Sequence, residues 1–206
     1  MKFDILGVGN ALVDETFYVS REFVDSTGLN FNSFKPFSFE EQEQIISSIP
    51  GNQLPEVMCG GSTTNSLAAA SNLGSNCGLI CQLGNDDRGS LYENNLKDNG
   101  IEPLNDFHHG SIKTGRCLVF ITPNSERTMG TYLGASERLA DNSEFISHAN
   151  NAKIIFSEGY QFTSNENYHA FLNILKGCSK EIRFALSLSD PGVVNAFRER
   201  FEEVIS

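Results

Sequence analysis

Short apolar runs alternate with longer amphipathic segments along most of the chain, an arrangement typical of an α/β fold. The apolar runs predict buried strands at residues 3–9, 79–84, 153–157 and 182–188. The segments between them predict helices at residues 23–28, 38–49, 90–99, 145–150 and 165–176, and a last helix that begins at Asp190-Pro191. Because the strand runs are continuously apolar, we expect a parallel sheet that is covered on both faces.

The stretch from residue 103 to residue 134 has a different pattern. Strand-like runs at 104–107, 116–121 and 127–133 are joined by turns at His109-Gly110 and at 123–125. Runs so closely spaced predict an antiparallel meander, which we expect to form a small sheet apart from the main one. The adjacent His108 and His109 suggest a metal site, but neighbouring strand residues point to opposite faces, which favours a solvated hairpin.

A glycine-rich stretch lies at the centre of this pattern. Gly60 and Gly61 follow an apolar run, and the small residues 62–73 that come next predict a helix ending at Gly74. Glycine lets the backbone approach a ligand closely, and Asn65 in the first turn of this helix can both donate and accept hydrogen bonds. The stretch is therefore predicted to hold a small polar molecule. A plain glycine turn before an alanine-rich core helix is the alternative.

Polar residues also follow the first predicted strand. Gly7-Val8-Gly9 begins like a dinucleotide-binding fingerprint, but Leu12 stands where the third glycine is needed, which argues against that motif. Asn10 and Asp14 instead come just after the carboxyl end of the strand, where open α/β sheets bind their ligands. A simple turn position is the alternative for Asp14. Asp86 and Asp87 could be metal ligands, although helix capping and a local pair with Arg88 are favoured.

Composition narrows the function classes. The 206-residue chain has a formal net charge of −11, which argues against nucleic acid or an anionic membrane as the main partner. Its five cysteines include no Cys-x-x-Cys pair, so a reducing, cytoplasmic setting is expected. The first residues lack the pattern of a signal peptide, and no apolar run approaches the roughly 20 residues that span a bilayer. We expect no metal ligands.

Four motifs in order carry a resemblance to a known family. They are Gly7 to Asp14, Gly60 to Ser66, Gly84 to Gly89, and the stretch from Thr114 to Met129. Together they resemble the PfkB (ribokinase-like) family of carbohydrate kinases, and most closely its adenosine kinase-like branch. The resemblance extends to Ser189-Asp190-Pro191. It implies a ribokinase-like three-layer α/β/α sandwich with a small antiparallel β lid, formed by about residues 10–20 and 104–134.

The resemblance also assigns site residues. Asp14 is expected to hold two sugar hydroxyls and Asn65 a third contact, while Gly60 and Gly61 approach the sugar and act as the lid hinge. Arg127 matches an arginine that faces the active site in nucleoside kinases, although a solvated strand position is its alternative. Further residues are expected to bind substrate or line the pocket: Asn10, Leu12, Ser62, Cys117 and Met129.

The family's reaction transfers a phosphoryl group from ATP, with Mg²⁺, to a sugar hydroxyl. In its members an Asn-x-x-Glu segment and a Gly-Ala-Gly-Asp segment that carries the catalytic base follow the point matching Ser206. Residues 1–206 are thus expected to form a truncated kinase domain, incomplete at its carboxyl end, with no catalytic base and doubtful ATP binding. A non-catalytic sugar or nucleoside binder, or one half of a split kinase, is the alternative.

An incomplete domain leads to one structural expectation. The last helix carries an apolar stripe that includes Phe197, Phe201 and Val204, and we expect it to lack part of its cover. Self-association through the lid or through this carboxyl-terminal face is therefore expected to be possible.

Overall fold

The computed structural model describes residues 2–104, 107–108 and 110–206. Its strands are β1 (Phe3–Val8), β2 (Leu12–Tyr18), β3 (Phe34–Pro36), β4 (Glu56–Gly60), β5 (Cys77–Ile80), β6 (Leu83–Gly84), β7 (Ile101–Pro103), β8 (Phe107–His108), β9 (Gly115–Ile121), β10 (Arg127–Tyr132), β11 (Ala152–Glu158) and β12 (Arg183–Ser187). Its helices are α1 (Arg21–Ser26), α2 (Phe39–Ser47), α3 (Ser62–Asn72), α4 (Asp87–Asp98), α5 (Ser143–Asn150), α6 (Asn165–Gly177), α7 (Pro191–Ala196) and α8 (Arg198–Ile205).

The main sheet has five parallel strands in the order β12-β11-β1-β5-β7. One face packs against α5, α6 and α8, and the other against α3 and α4. The predicted three-layer α/β/α fold is therefore confirmed. Continuous apolar runs identify these strands because both faces are buried, so every side chain meets a hydrophobic layer.

The second sheet, which we call the lid sheet, has the strand order β3-β10-β9-β2-β4. It is mixed rather than an antiparallel meander, because β2 pairs with β9 in parallel and β3 pairs with β10 in parallel. Only β9 and β10 form the predicted hairpin. The outer face of the lid sheet packs on α1 and α2 through Phe17, Val24 and Phe120.

The first strand of the predicted meander does not join the lid sheet. β7 extends the main sheet instead, and β8 pairs in parallel with β6. β6 had been predicted as the end of one long strand with β5, but the chain leaves the main sheet after Ile80. Asn105 and Asp106 of the predicted run, and His109 of the predicted turn, lie outside the described residues.

The helix ends follow their capping residues closely. Ser38 caps α2 with the reciprocal Glu41 hydrogen bonds of a capping box, as predicted. Asp190 caps α7 with Pro191 at the first helical position. The single last helix predicted from residue 190 is wrong, because it breaks into α7 and α8 at Phe197, whose backbone is not helical (φ −121°, ψ 29°).

The carboxyl-terminal face is better covered than predicted. Phe201 is buried, and its ring lies edge-on to the ring of Phe162 with centroids 4.7 Å apart. Phe197 and Val204 are partly buried against the same cluster. The expectation that this stripe lacks part of its cover was therefore wrong for Phe201, because the turn at 159–162 folds under the helix.

No helix in the described part of the chain is long and apolar enough to cross a membrane.

Candidate functional site

A cavity of about 240 Å³ lies where the carboxyl ends of β1 and β11 meet the amino end of α3 and the open face of the lid sheet. Nine of the ten residues assigned to the site from the sequence line this cavity, and Gly60 lies next to it. The lining consists of Asn10, Leu12, Asp14, Gly61, Ser62, Asn65, Cys117, Arg127, Met129, Thr131, Leu133, Glu158 and Tyr160. The structure thus gathers residues that are more than 100 positions apart in the chain.

Asp14 lies on the inner face of β2, between Cys117 on β9 and Met58 on β4. Its side chain is 27% exposed, and Arg127 approaches it at 4.0 Å. Burial raises the pKa of the Asp14 carboxyl, and the Arg127 guanidinium opposes that rise. A partly desolvated carboxylate that faces a cavity is a strong acceptor for ligand hydroxyls.

The two glycines place the backbone against this carboxylate. Gly61 has φ +100°, and a Cβ there would lie 2.4 Å from the backbone oxygen of Asn10. A Cβ at Gly60 would lie 2.7 Å from Oδ2 of Asp14. Position 61 therefore requires glycine, whereas a side chain at Gly60 would push the Asp14 carboxyl aside. Gly60 acts as the wall behind Asp14 rather than as part of the cavity lining.

Asn10 and Asn65 occupy different environments. Asn10 is buried, and its Oδ1 accepts hydrogen bonds from Gln161 Nε2 at 2.7 Å and Asn167 Nδ2 at 3.2 Å. Asn65 is exposed at the cavity mouth in the first turn of α3, and its backbone N–H donates to Gly61. Asn10 is thus fixed by the protein, whereas the amide of Asn65 is available to a ligand.

Glu158, at the end of β11, is the main lining residue that the sequence assignment missed. Its Oε1 accepts from the Asn10 N–H at 3.0 Å, and its Oε2 accepts from the Thr63 N–H at 3.2 Å. Burial raises the pKa of this carboxyl, although hydrogen bonds from the backbone and from Ser62 oppose the rise. Its place directly after a predicted strand, at the sheet edge that also carries Asn10, was the signal that could have identified it.

Three further lining residues were missed by the sequence assignment. Thr131 and Leu133 come from the end of β10, and Tyr160 comes from the turn after β11. The lid wall is mostly apolar, with Leu12, Cys117 and Met129 in addition to Leu133. Burial raises the pKa of the Cys117 thiol to about 11, so it is a packing group rather than a nucleophile.

Asp86, at the start of α4, has a structural role. Asp86 caps α4 by accepting from the Gly89 N–H at 2.8 Å, and it also accepts from the Thr114 hydroxyl at 2.7 Å. The predicted capping role of Asp86 is therefore confirmed. The local pair predicted for Arg88 is wrong, because Arg88 binds Glu15 on β2 instead.

The family's reaction uses ATP and Mg²⁺, and a Mg²⁺ site needs several oxygen ligands close together. The described part of the chain contains no group of three or more His, Cys, Asp or Glu side chains placed to hold a metal ion. The spacing Asn-x-x-Glu does occur at Asn99 and Glu102, but Glu102 forms an exposed ion pair with Lys2. We therefore assign no residue of the described part of the chain to Mg²⁺ or ATP.

Comparison with known proteins decides the family. The model of the pfkB family carbohydrate kinases matches residues 52–206, well over half of the chain. The chain belongs to the pfkB family of carbohydrate kinases. The resemblance carried by the four motifs is thereby confirmed, and the glycine stretch from Gly60 lies inside the matched region.

Solved structures of several kinases share the fold. An adenosine kinase from Sinorhizobium meliloti superposes with a TM-score of 0.89 and 24% identity over 99% of this chain. A probable sugar kinase from Rhizobium etli CFN 42 superposes with a TM-score of 0.88 and 25% identity over 98% of this chain. Schistosoma mansoni adenosine kinase in complex with 2-fluoroadenosine superposes with a TM-score of 0.84 and 20% identity over 98% of this chain. The chain spans 62%, 61% and 60% of these three proteins.

Proposed function

We propose that the cavity is the acceptor site of a pfkB-type kinase and that it binds the hydroxyl groups of a sugar or nucleoside. The observation that carries the proposal is the convergence of Asp14, Asn65 and Arg127 on one cavity beside the Gly60-Gly61 turn. A carboxylate accepts hydrogen bonds from two neighbouring hydroxyls, and an amide can donate to or accept from a third. A cavity of about 240 Å³ suits a small ligand.

The distribution of polarity favours a nucleoside over a free sugar. Asp14, Asn65 and Arg127 supply polar groups to the cavity lining, and Leu12, Met129 and Leu133 supply apolar ones. A nucleoside has the matching division, with a hydroxylated ribose and a flat base. Several structures with the same fold are adenosine kinases in complex with adenosine, 2-fluoroadenosine or tubercidin. We therefore propose an adenosine-like ligand.

The proposed role in the reaction is to position the acceptor. Phosphoryl transfer depends on holding the attacking hydroxyl in line with the phosphate and on stabilising the developing charge. The residues described here supply the first of these contributions. Asp14 and Glu158 are the carboxylates of the cavity, and Glu158 is occupied by backbone donors. We therefore assign Asp14 to binding and assign no catalytic base.

Calorimetric titration with adenosine and with ribose tests this proposal. We expect Asp14→Ala to weaken adenosine binding by about tenfold or more, because hydrogen bonds to a charged group contribute about 1.5–3 kcal/mol. Asn65→Ala is expected to weaken binding by about threefold to tenfold, since one neutral hydrogen bond is lost. Asp25→Ala is the matched control, because Asp25 is exposed on α1 on the outer side of the lid sheet.

Two results would contradict the proposal. One is the absence of binding to the folded wild-type chain, and the other is an equal loss of affinity in Asp14→Ala and Asp25→Ala.

A kinase assay with ATP and Mg²⁺ then separates a binding module from an enzyme. We expect this chain by itself to give no turnover at the usual rate of about 1–100 per second, because the described residues offer no metal-holding group.

A further inference from the structure

Helix α4 contacts the lid sheet from behind, on the side opposite the cavity. Tyr92 is fully buried in the second turn of α4, and its hydroxyl donates to the backbone oxygen of Gly60 at 2.7 Å. The Thr64 hydroxyl lies 2.6 Å from the same Tyr92 oxygen. Because Tyr92 has a single hydroxyl proton, that proton goes to Gly60 and Thr64 donates to Tyr92.

This chain of hydrogen bonds ends at the Gly60 backbone oxygen, and Gly60 itself lies against the proposed binding carboxylate. A Cβ added at Gly60 would meet all three terminal atoms of Asp14, at 2.7 to 2.8 Å. The Gly60 backbone thus forms the wall against which the Asp14 carboxyl rests, and Tyr92 holds that wall in place. Burial raises the pKa of the Tyr92 hydroxyl well above its usual value, so the hydroxyl keeps its proton and stays a donor.

A second contact from α4 acts on the same strand. Neighbouring residues of a strand face opposite sides, so Glu15 points away from the cavity while Asp14 points into it. Glu15 is buried, and its Oε1 accepts from Arg88 Nε at 2.7 Å and Nη2 at 2.6 Å. Arg116 on β9 lies 3.7 Å from the other oxygen of Glu15. β2 is thereby anchored one residue away from Asp14.

We propose that Tyr92 and Arg88 are positioning residues, and that α4 sets the place of the Asp14 carboxylate through the Gly60 wall and through Glu15. Neither side chain lines the cavity. The expected effect of Tyr92 and Arg88 on ligand binding rests on the proposed function, but their effect on the position of the Asp14 carboxylate does not. The two effects can therefore be tested separately.

The first test needs no ligand. The titration of Asp14 is followed by carboxyl-carbon NMR in the wild-type chain, in Tyr92→Phe and in Arg88→Lys. Arg88→Lys keeps the positive charge beside Glu15 but loses the two-point contact of the guanidinium, so it loosens β2 without removing a charge. We expect both variants to bring the raised pKa of Asp14 back toward its ordinary value of 3.8, because a loosened Gly60 wall or β2 strand exposes the carboxyl to water.

Tyr168→Phe is the matched control. Tyr168 is also buried, and its hydroxyl donates one hydrogen bond, to Glu203 at 2.5 Å on the far side of the main sheet. This variant also removes a hydroxyl that donates one hydrogen bond, but it is expected to leave the titration of Asp14 unchanged. An unchanged Asp14 pKa in Tyr92→Phe and Arg88→Lys, or an equal change in Tyr168→Phe, would overturn the positioning role.

The second test uses adenosine. We expect Tyr92→Phe to weaken adenosine binding by about threefold to tenfold in the presence of Asp14, and to have no further effect in an Asp14→Asn background. Additive losses in the two backgrounds would mean that Tyr92 does not act through Asp14. If the titration of Asp14 shifts as expected while the wild-type chain binds no adenosine, the positioning role stands and the proposed function fails.

Discussion

The main sheet and the lid sheet contribute to the cavity in different ways. Helices cover both faces of the main sheet, and its polar groups are held by hydrogen bonds within the protein, as in the contacts of Glu158 with the backbone of Asn10 and Thr63. Helices cover only the outer face of the lid sheet, and its inner face presents Asp14 and Arg127 partly exposed. The main layer therefore supplies a fixed floor with Asn65 at the cavity mouth, and the lid sheet supplies the charged groups that a ligand can engage.

The joint between the two sheets is the place where a substitution is expected to have the largest effect. Gly61 connects β4 of the lid sheet to α3 of the main layer with φ +100°, and its missing Cβ leaves room for the Asn10 oxygen. We expect Gly61→Ala to lower the free energy of unfolding by about 3 kcal/mol or more, because backbone strain and a steric clash act together. Urea denaturation measures the loss.

Gly74→Ala is the control for this prediction. Gly74 has a similar backbone angle, φ +95°, but nothing lies within 4 Å of the position of its Cβ. Its substitution is expected to cost about 1–2 kcal/mol, the price of the left-handed conformation alone. Equal losses in the two variants would mean that the close approach of Asn10 contributes nothing.

The next prediction concerns the main layer alone. We expect Phe201→Ala to destabilise the chain by about 3 kcal/mol, because the variant leaves a cavity beside Phe162 in a well-packed cluster. Ile205→Ala is the control, since Ile205 is 65% exposed and its truncation is expected to cost less than about 0.5 kcal/mol. A small effect at Phe201, measured by thermal unfolding, would show that α8 is not packed as described.

The third prediction is that the contributions of Glu158 and Glu203 to folding stability depend on pH with opposite signs. Burial raises the pKa of Glu158 in the folded chain, so its protonated form favours folding. Its contribution to stability is present below pH 4.5 and is lost as the pH rises through the folded-state pKa. We expect the wild-type chain to lose stability relative to Glu158→Gln as the pH rises, in urea titrations between about pH 4 and pH 8.

Glu203 provides the opposite case. Its hydrogen bonds with Tyr168 and Lys176 lower the pKa of its carboxyl. Its contribution is therefore present above pH 4.5 and is lost as the pH falls through the lowered pKa. Relative to Glu203→Gln, the wild-type chain is expected to gain stability as the pH rises. The same sign of pH dependence at both positions would contradict the assigned environments.

The same contrast explains what could be predicted from the sequence. The strands of the main sheet follow from local patterns, because burial on both faces produces continuous apolar runs. The lid sheet joins β2, β4, β9 and β10 with β3, and a local pattern shows only the hairpin between β9 and β10. Its parallel pairing of β2 with β9 joins segments about 100 residues apart, which no local pattern can indicate.

The cavity was predictable to the extent that its residues belong to motifs. Asp14, Gly61 and Asn65 were assigned from the sequence, and the structure brings them together. Glu158 lies in no such motif, and its role follows from hydrogen bonds to Asn10 and Thr63 that exist only in the folded chain. The pairing of Arg88 was mispredicted for the same reason, since its partner Glu15 is 73 residues away.

The most direct test of the account compares two ligands on the unmodified chain. Calorimetry with adenosine and with 2′,3′-dideoxyadenosine measures what the two ribose hydroxyls contribute. If Asp14 accepts hydrogen bonds from both hydroxyls, the dideoxy analogue binds about tenfold or more weakly than adenosine. Equal affinity for the two ligands, or tighter binding of the analogue, would contradict the claim that this cavity recognises the hydroxyl groups of its ligand.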